Sequence, residues 1–231
     1  MSIAENIAQV RTNIAQACAQ AGRSPEEITL VGASKMNDAA ACREAIAAGI
    51  DALGENRVQE MTAKLAESAY DGAPLHFIGH LQRNKVKQVV GKVALIQSVG
   101  SMELLEEIEK VAAREQLVQD ILLEVNIGRE EAKSGFDPDA VTAAAEAALS
   151  LPHVRVRGLM TIPPADADRD ANMRYFQEVQ ALYVDINTKL FHNELKCLSM
   201  GMSGDYMDAI RCGATMVRVG TAIFGARNYN I

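Results

Sequence analysis

The sequence predicts an α/β fold: a single (β/α)8 TIM barrel preceded by an extra N-terminal helix. Three observations carry that expectation. Eight apolar, β-branched runs of strand length recur near 28–35, 52–56, 75–80, 94–99, 120–127, 154–161, 196–202 and 216–224. Stretches of helical period, rich in Ala, Glu and Leu, separate them near 38–48, 57–68, 83–91, 101–115, 137–150, 170–191 and 204–212. Strands alternating with helices point to a parallel sheet, and eight is the number that closes a barrel. The length, 231 residues, lies near the lower end for that fold and within the range of one α/β domain. No linker or composition break interrupts the pattern, so residues 1–231 read as one domain. The competing arrangement, an open doubly wound sheet, more often carries a G-x-G-x-x-G after its first strand. Here the first strand runs into Gly32-Ala33-Ser34-Lys35 instead.

Each element has a local reason. Ser2 and Glu5 form an S-x-x-E capping box, and Ile3, Ile7, Val10, Ile14 and Cys18 then share one face of a helix. Gly22 is a natural stop, and Ser24-Pro25-Glu26 opens a turn. The run 140–149 is almost wholly Ala, Leu, Val and Glu, all compatible with helix. Leu104, Leu105, Ile108 and Val111 make one apolar stripe. The Pro-containing loop 162–170 follows the sixth strand and is a candidate active-site loop.

Composition narrows the function. The chain is 48% hydrophobic and 23% charged, with a net charge of −7. An acidic chain without a dense basic run is a poor nucleic-acid binder. The absence of Trp and an aromatic content of 4% argue against a base-stacking platform. No apolar run approaches the roughly 20 residues of a membrane span. The N-terminus MSIAENIAQVR does not read as a signal peptide, so a cytoplasmic protein is expected. Cys18, Cys42, Cys197 and Cys212 are scattered, without a CxxC pair, and read as small buried hydrophobes. No metal site is expected. His76, His153 and His192 read as surface or loop residues.

Polar residues gather where the strands end, the face on which barrel active sites are built. Lys35 ends the first strand, Glu55 and Asn56 the second, His80 the third, Asn126 the fifth and Thr161 the sixth. A lysine at an apolar mouth is partly desolvated, which frees its amine to attack a carbonyl. In LSMGMSGDYMDAI, Ser203 and Gly204 stand at the start of a helix, whose free amides attract an anion. In VRVGTAIFG, Gly220 and Thr221 stand at the mouth of the eighth strand. Loops after strands seven and eight are the usual phosphate site of a barrel. Alternation turns Val217 and Val219 to one side and Arg218 to the other, into the barrel, where Glu124 or Asn126 would be a protein partner. A reactive lysine, an anion cup and a buried arginine suit pyridoxal 5′-phosphate (PLP), an aldehyde that carries a phosphate. They also suit a Schiff-base aldolase, with Glu55 as its acid–base partner.

Seven motifs then stand in order along essentially the whole chain. They are LVGASK (30–35), GENRVQE (54–60), HFIGHLQRNK (76–85), KSGF (133–136), RGLMTI (157–162), LSMGMSGD (198–205) and VRVGTAIFG (217–225). On these the chain resembles the PLP-binding homeostasis proteins, single barrels similar to the N-terminal domain of bacterial alanine racemase (PLP fold type III). The resemblance implies a Schiff base between PLP and Lys35. It implies a phosphate site of Ser203, Gly204, Gly220 and Thr221, and Arg218 at the pyridine nitrogen. Asn56, His80 and Met160 would line the ring pocket. Lys133 matches a family lysine near the mouth, for which PLP transfer is the role suggested. The chain departs from its relatives at Met36-Asn37-Asp38, where a proline commonly follows the lysine shortly.

The resemblance implies a carrier that stores, buffers or delivers PLP without turnover, with PLP-dependent apo-enzymes as partners and a monomer as the default state. The alternative is a PLP-dependent amino-acid racemase-like enzyme. Two-base racemisation needs a second group opposite the lysine. In alanine racemases a C-terminal β domain supplies it, and no such domain is expected here. Tyr206 and Tyr229 are the tyrosines available as substitutes.

Overall fold

The capping box at Ser2 and Glu5 forms. In the computed structural model, which describes residues 1–225, Ser2 Oγ accepts from the Glu5 amide at 3.2 Å and the Glu5 carboxylate accepts from the Ser2 amide at 2.8 Å. Helix α1 (Ile3–Gln20) buries Ile7, Val10, Ile14, Ala17 and Cys18, and Gly22 ends it with a positive φ of 66°. The strands are β1 (Thr29–Ala33), β2 (Ala52–Glu55), β3 (Leu75–Phe77), β4 (Leu95–Val99), β5 (Gln119–Val125), β6 (Val154–Thr161), β7 (Cys197–Ser199) and β8 (Met216–Val219). They pair in parallel in chain order, and β8 closes on β1. Between them lie α2 (Ala39–Ala47), α3 (Val58–Ala66), α4 (Met102–Arg114), α5 (Val141–Ala148), α6 (Arg169–Leu190) and α7 (Tyr206–Arg211). A short α8 (Thr221–Phe224) follows β8, and α1 packs against α2, α7 and α8.

Alternation along the strands builds two cores. Val31, Ala52, Leu95, Leu122, Met160 and Met216 fill the barrel interior. Their chain neighbours Leu30, Leu53, Ile96, Leu123, Leu159 and Val217 point outward under the helices. Each such Val, Leu, Ile or Met side chain, fully buried, stabilises by about 1.5–3 kcal/mol. The three fully or nearly buried cysteines, Cys18, Cys42 and Cys212, are part of the outer core.

Four segments differ from the pattern the sequence predicts. Residues 83–91 form no α-helix but a 3₁₀ helix over Arg83–Gln88, because Gly91, at φ 75°, stops a run too short to extend. The third strand ends at Phe77, so His80 lies in the loop after it. Strand β7 ends at Ser199, since Gly201 turns the chain out at φ 93°. The stretch 216–224 is a strand only to Val219, and Gly220 breaks it before α8. Among the described residues, no helix is long and apolar enough to cross a membrane, and no group of three His, Cys, Asp or Glu could hold a metal ion.

Candidate active site at the barrel mouth

β1 ends at Ala33, so Lys35 stands one residue beyond Ser34 in the loop rather than on the strand, and both peptides beside it are gripped by side chains. Lys64 of α3 donates to the Ser34 carbonyl (2.8 Å), to Glu55 Oε1 (2.6 Å) and to Glu60 Oε1 (3.0 Å). All three ammonium protons are thereby used. Glu60 in turn accepts from the Met36 amide. Met36 takes a left-handed φ of 62°, a conformation non-glycine residues adopt at a cost. Asn37 donates from Nδ2 to the Lys35 carbonyl at 3.0 Å, and Asp38 caps α2 at the Ala41 amide. The Met36-Asn37-Asp38 segment thus makes an ordered turn without proline.

Glu55 is not an acid–base group in an open cleft. It is 0% exposed, and its Oε1 accepts from Ser34 Oγ, Lys64 and Tyr70. Burial, then Glu55, pushes the Tyr70 hydroxyl far above its usual range. Burial lowers the Lys64 pKa, but Glu55 and Glu60 outweigh it, and the net shift is upward. The lysine aldolase reading loses its acid–base partner. Lys64 was missed in the sequence, although its spacing of four from Glu60 on a helix was a legible signal.

Lys35, Met36, Asn56, Arg57, Glu60, Gly79 and His80 line a cavity of about 250 Å³. Gly79 makes this possible. A Cβ there would stand 2.2 Å from the Asn56 carbonyl oxygen, so only glycine lets the β3 loop cross the β2 loop this closely. Asn56 Oδ1 is buried with no hydrogen-bond partner. On its other side His80 borders a larger hollow of about 570 Å³, shared with Ser98, Ser101 and Lys133. Lys133 is half-buried, pairs with Glu130 at 2.5 Å and approaches the Pro163 carbonyl at 3.4 Å.

Ser203 is not a helix cap, because α7 begins only at Tyr206 with Asp205 before it. Its Oγ instead accepts from the Gly220 amide (3.1 Å) and the Ala222 amide (3.3 Å), which ties the β7 loop to the start of α8. Ser203, Gly204, Gly220 and Thr221 are therefore neighbours, with Gly204 and Thr221 exposed. Ser203 and Gly204 line a separate cavity of about 600 Å³.

Arg218 points into the barrel and is 3% exposed. Its hydrogen-bond partners are neither Asn126 nor Glu124, although the Glu124 charge acts on it. It donates to Ser199 Oγ (2.5 Å) and to the Thr161 carbonyl (2.8 Å). Asn126 instead folds its own loop through Glu130, and Glu124 takes a hydrogen bond from Ser134. Burial pulls the guanidinium down to about 10, partly countered by Glu124 and Asp205, so it stays charged at neutral pH. Met160 is fully buried in the barrel interior with Met216 and Val31, not at an open surface.

Two further expectations change. His76 is no surface residue: it is 6% exposed, faces the barrel interior, and burial lowers its pKa to about 4. The reason is alternation, since Leu75 and Phe77 on either side pack outward. Tyr206 is buried behind the mouth, where its hydroxyl accepts from Asn13. Tyr229 lies outside the described residues.

The chain matches the model of the alanine racemase N-terminal domain over residues 6–228. It is 42% identical over 229 residues to the pyridoxal phosphate homeostasis protein of Aquifex aeolicus, covering 99% of this chain and 100% of that one. It is 33% identical to PipY of Synechococcus elongatus, solved with PLP bound, with a TM-score of 0.85 over 97% of this chain and 100% of that one. Alanine racemase of Clostridium difficile shares only the fold: TM-score 0.72 at 17% identity, covering 99% of this chain and 58% of that one. On these matches the chain belongs to the alanine racemase N-terminal domain family, among the pyridoxal phosphate homeostasis proteins.

Proposed function

We propose that the chain binds PLP reversibly through Lys35 and serves PLP homeostasis, storing, buffering or delivering the cofactor without turnover of its own. The observation that carries this is Lys35 in one cavity with Asn56 and His80, on the barrel shared with a relative solved with PLP. The donor set fits the group. Lys35 offers an amine, Arg218 a fixed cation, the Ser203–Gly220–Thr221 cluster the hydroxyls of Ser203 and Thr221, and Asn56 Oδ1 a buried acceptor with no partner in the protein. When bound, PLP supplies an aldehyde that condenses with a primary amine, releasing water.

The protein's part is to hold and orient. Lys64, Glu60 and Asn37 fix the backbone from which the Lys35 amine projects. Ser203, Gly204, Gly220 and Thr221 would receive the phosphate, and His80 and Met160 would flank or floor the ring. Arg218 is held charged, and a cation beside a ring nitrogen disfavours a proton there. That weakens the electron withdrawal that racemisation needs. Tyr206, turned toward α1, does not supply the second base. Lys133 lines the edge of the neighbouring hollow, and a part in transfer is proposed for it. PLP-dependent apo-enzymes are the proposed recipients, and the protein is proposed to act as a cytoplasmic monomer.

The test uses PLP-loaded protein freed of excess ligand. Mixed with an apo-form of a PLP-dependent enzyme, it is expected to restore that enzyme's activity. Incubated with L-amino acids, it is expected to give no D-enantiomer by chiral chromatography. Steady formation of D-amino acid would overturn the carrier reading in favour of a racemase-like enzyme.

A further inference from the structure

Four buried polar side chains cross the barrel interior from β8 to β3. Arg218 donates to Ser199 Oγ at 2.5 Å, and Ser199 Oγ donates to Gln97 Oε1 at 2.6 Å. Gln97 Nε2 stands 3.0 Å from His76 Nδ1 and 3.1 Å from Met216 Sδ. Gln97 and Ser199 are 0% exposed, so water does not replace these bonds.

The direction of every proton follows from the first link. A guanidinium has donors only. Ser199 therefore accepts from Arg218 and has one proton to give, which goes to Gln97. That proton needs an oxygen, so Gln97 turns Oε1 to Ser199 and its NH₂ to His76. His76 Nδ1 must then accept, which leaves its proton on Nε2. A neutral imidazole is what burial favours at this position.

We propose that Ser199, Gln97 and His76 are positioning residues for Arg218: a one-way donor chain that fixes the guanidinium's place and plane beneath the mouth. The role toward the cofactor rests on the reading that Arg218 meets the PLP ring nitrogen. No neighbour in the chain can be reversed alone, because each has its proton assigned by the one before. Reversing the Gln97 amide would set its NH₂ against the Ser199 proton and its oxygen against a lone pair of His76.

The test has one arm without cofactor and one with it. Nitrogen-15 NMR of histidine-labelled wild-type protein at neutral pH is expected to show His76 with its proton on Nε2 and Nδ1 accepting. This arm needs no variant. A proton on Nδ1 would overturn the chain. Ser199→Ala removes the hydroxyl without adding bulk. It is expected to shift or split the His76 resonances, move the visible spectrum of bound PLP and weaken PLP binding about tenfold, the scale of one hydrogen bond to a charged group. Ser199→Thr, which keeps the hydroxyl, is expected to restore the wild-type signature. Unchanged spectrum and affinity in Ser199→Ala, with wild type binding PLP normally, would overturn the positioning role alone. Failure of wild type to take up PLP would sink the PLP reading, and the role with it, whatever the NMR arm gives.

Discussion

Lys35→Ala is expected to abolish covalent capture of PLP and to leave the barrel folded. In the proposed reaction the amine is the group that reacts, and removing it removes the bond outright. The side chain is only half-buried and belongs to neither apolar core. What the barrel uses at this point is backbone: the Ser34 carbonyl held by Lys64, the Lys35 carbonyl held by Asn37 and the Met36 amide held by Glu60. All three survive the substitution. Thermal unfolding followed by circular dichroism is expected to remain a single cooperative transition, shifted by about 1 kcal/mol or less, the scale of an ordinary substitution outside the core. Wild-type protein is expected to keep a yellow band after desalting from PLP, and the variant is expected to lack it. A Lys35→Ala protein that stays yellow would show that another residue holds the cofactor.

Methionine at position 64 has the opposite signature: a large loss of stability with the reactive amine still present. Lys64 and Glu55 form an ion pair with side-chain exposures of 7% and 0%. Removing one partner of such a pair leaves a buried charge uncompensated and typically costs about 3–5 kcal/mol. Glu55 has no reserve, since its Oε2 already lacks a partner. For a chain of this size the loss corresponds to a drop in Tm of roughly 10 °C. The pair also makes stability depend on pH. The folded pKa of Lys64 is raised, so its contribution is fully present below the unfolded value of about 10.4 and is lost as pH rises through the higher folded value. A scan of Tm against pH is therefore expected to show an alkaline decline in wild type that is smaller in Lys64→Met. A Tm within 2 °C of wild type at neutral pH would show that the ammonium contributes little.

The barrel was legible because both of its periods are written plainly. Period two along the strands and period 3.6 between them gave eight strands in order. The losses fell where backbone geometry overrides composition. Gly201 and Gly220 break the chain just past strands that side chains alone would have continued, and Gly79 permits a loop crossing that composition does not reveal. The site was legible in part. Lys35, Asn56 and His80 meet in one cavity, and Ser203 joins Gly220, as placement at strand ends implies. Ser203 does so by accepting amides from the next loop, which spacing along one segment does not reveal. His76 was misread because its immediate neighbours were not used. With Leu75 and Phe77 outward, alternation alone puts it inside the barrel. Its link to Ser199 through Gln97 spans 102 residues of sequence between Ser199 and Gln97, and only the closed barrel brings them together.

The central claim is that one lysine anchors PLP. It is tested most directly by incubating wild-type protein with PLP, reducing with borohydride and mapping the modified peptide by mass spectrometry. A single phosphopyridoxyl adduct on Lys35 is the predicted result. No adduct, or one spread over surface lysines, would contradict it and leave the barrel without an assigned cofactor.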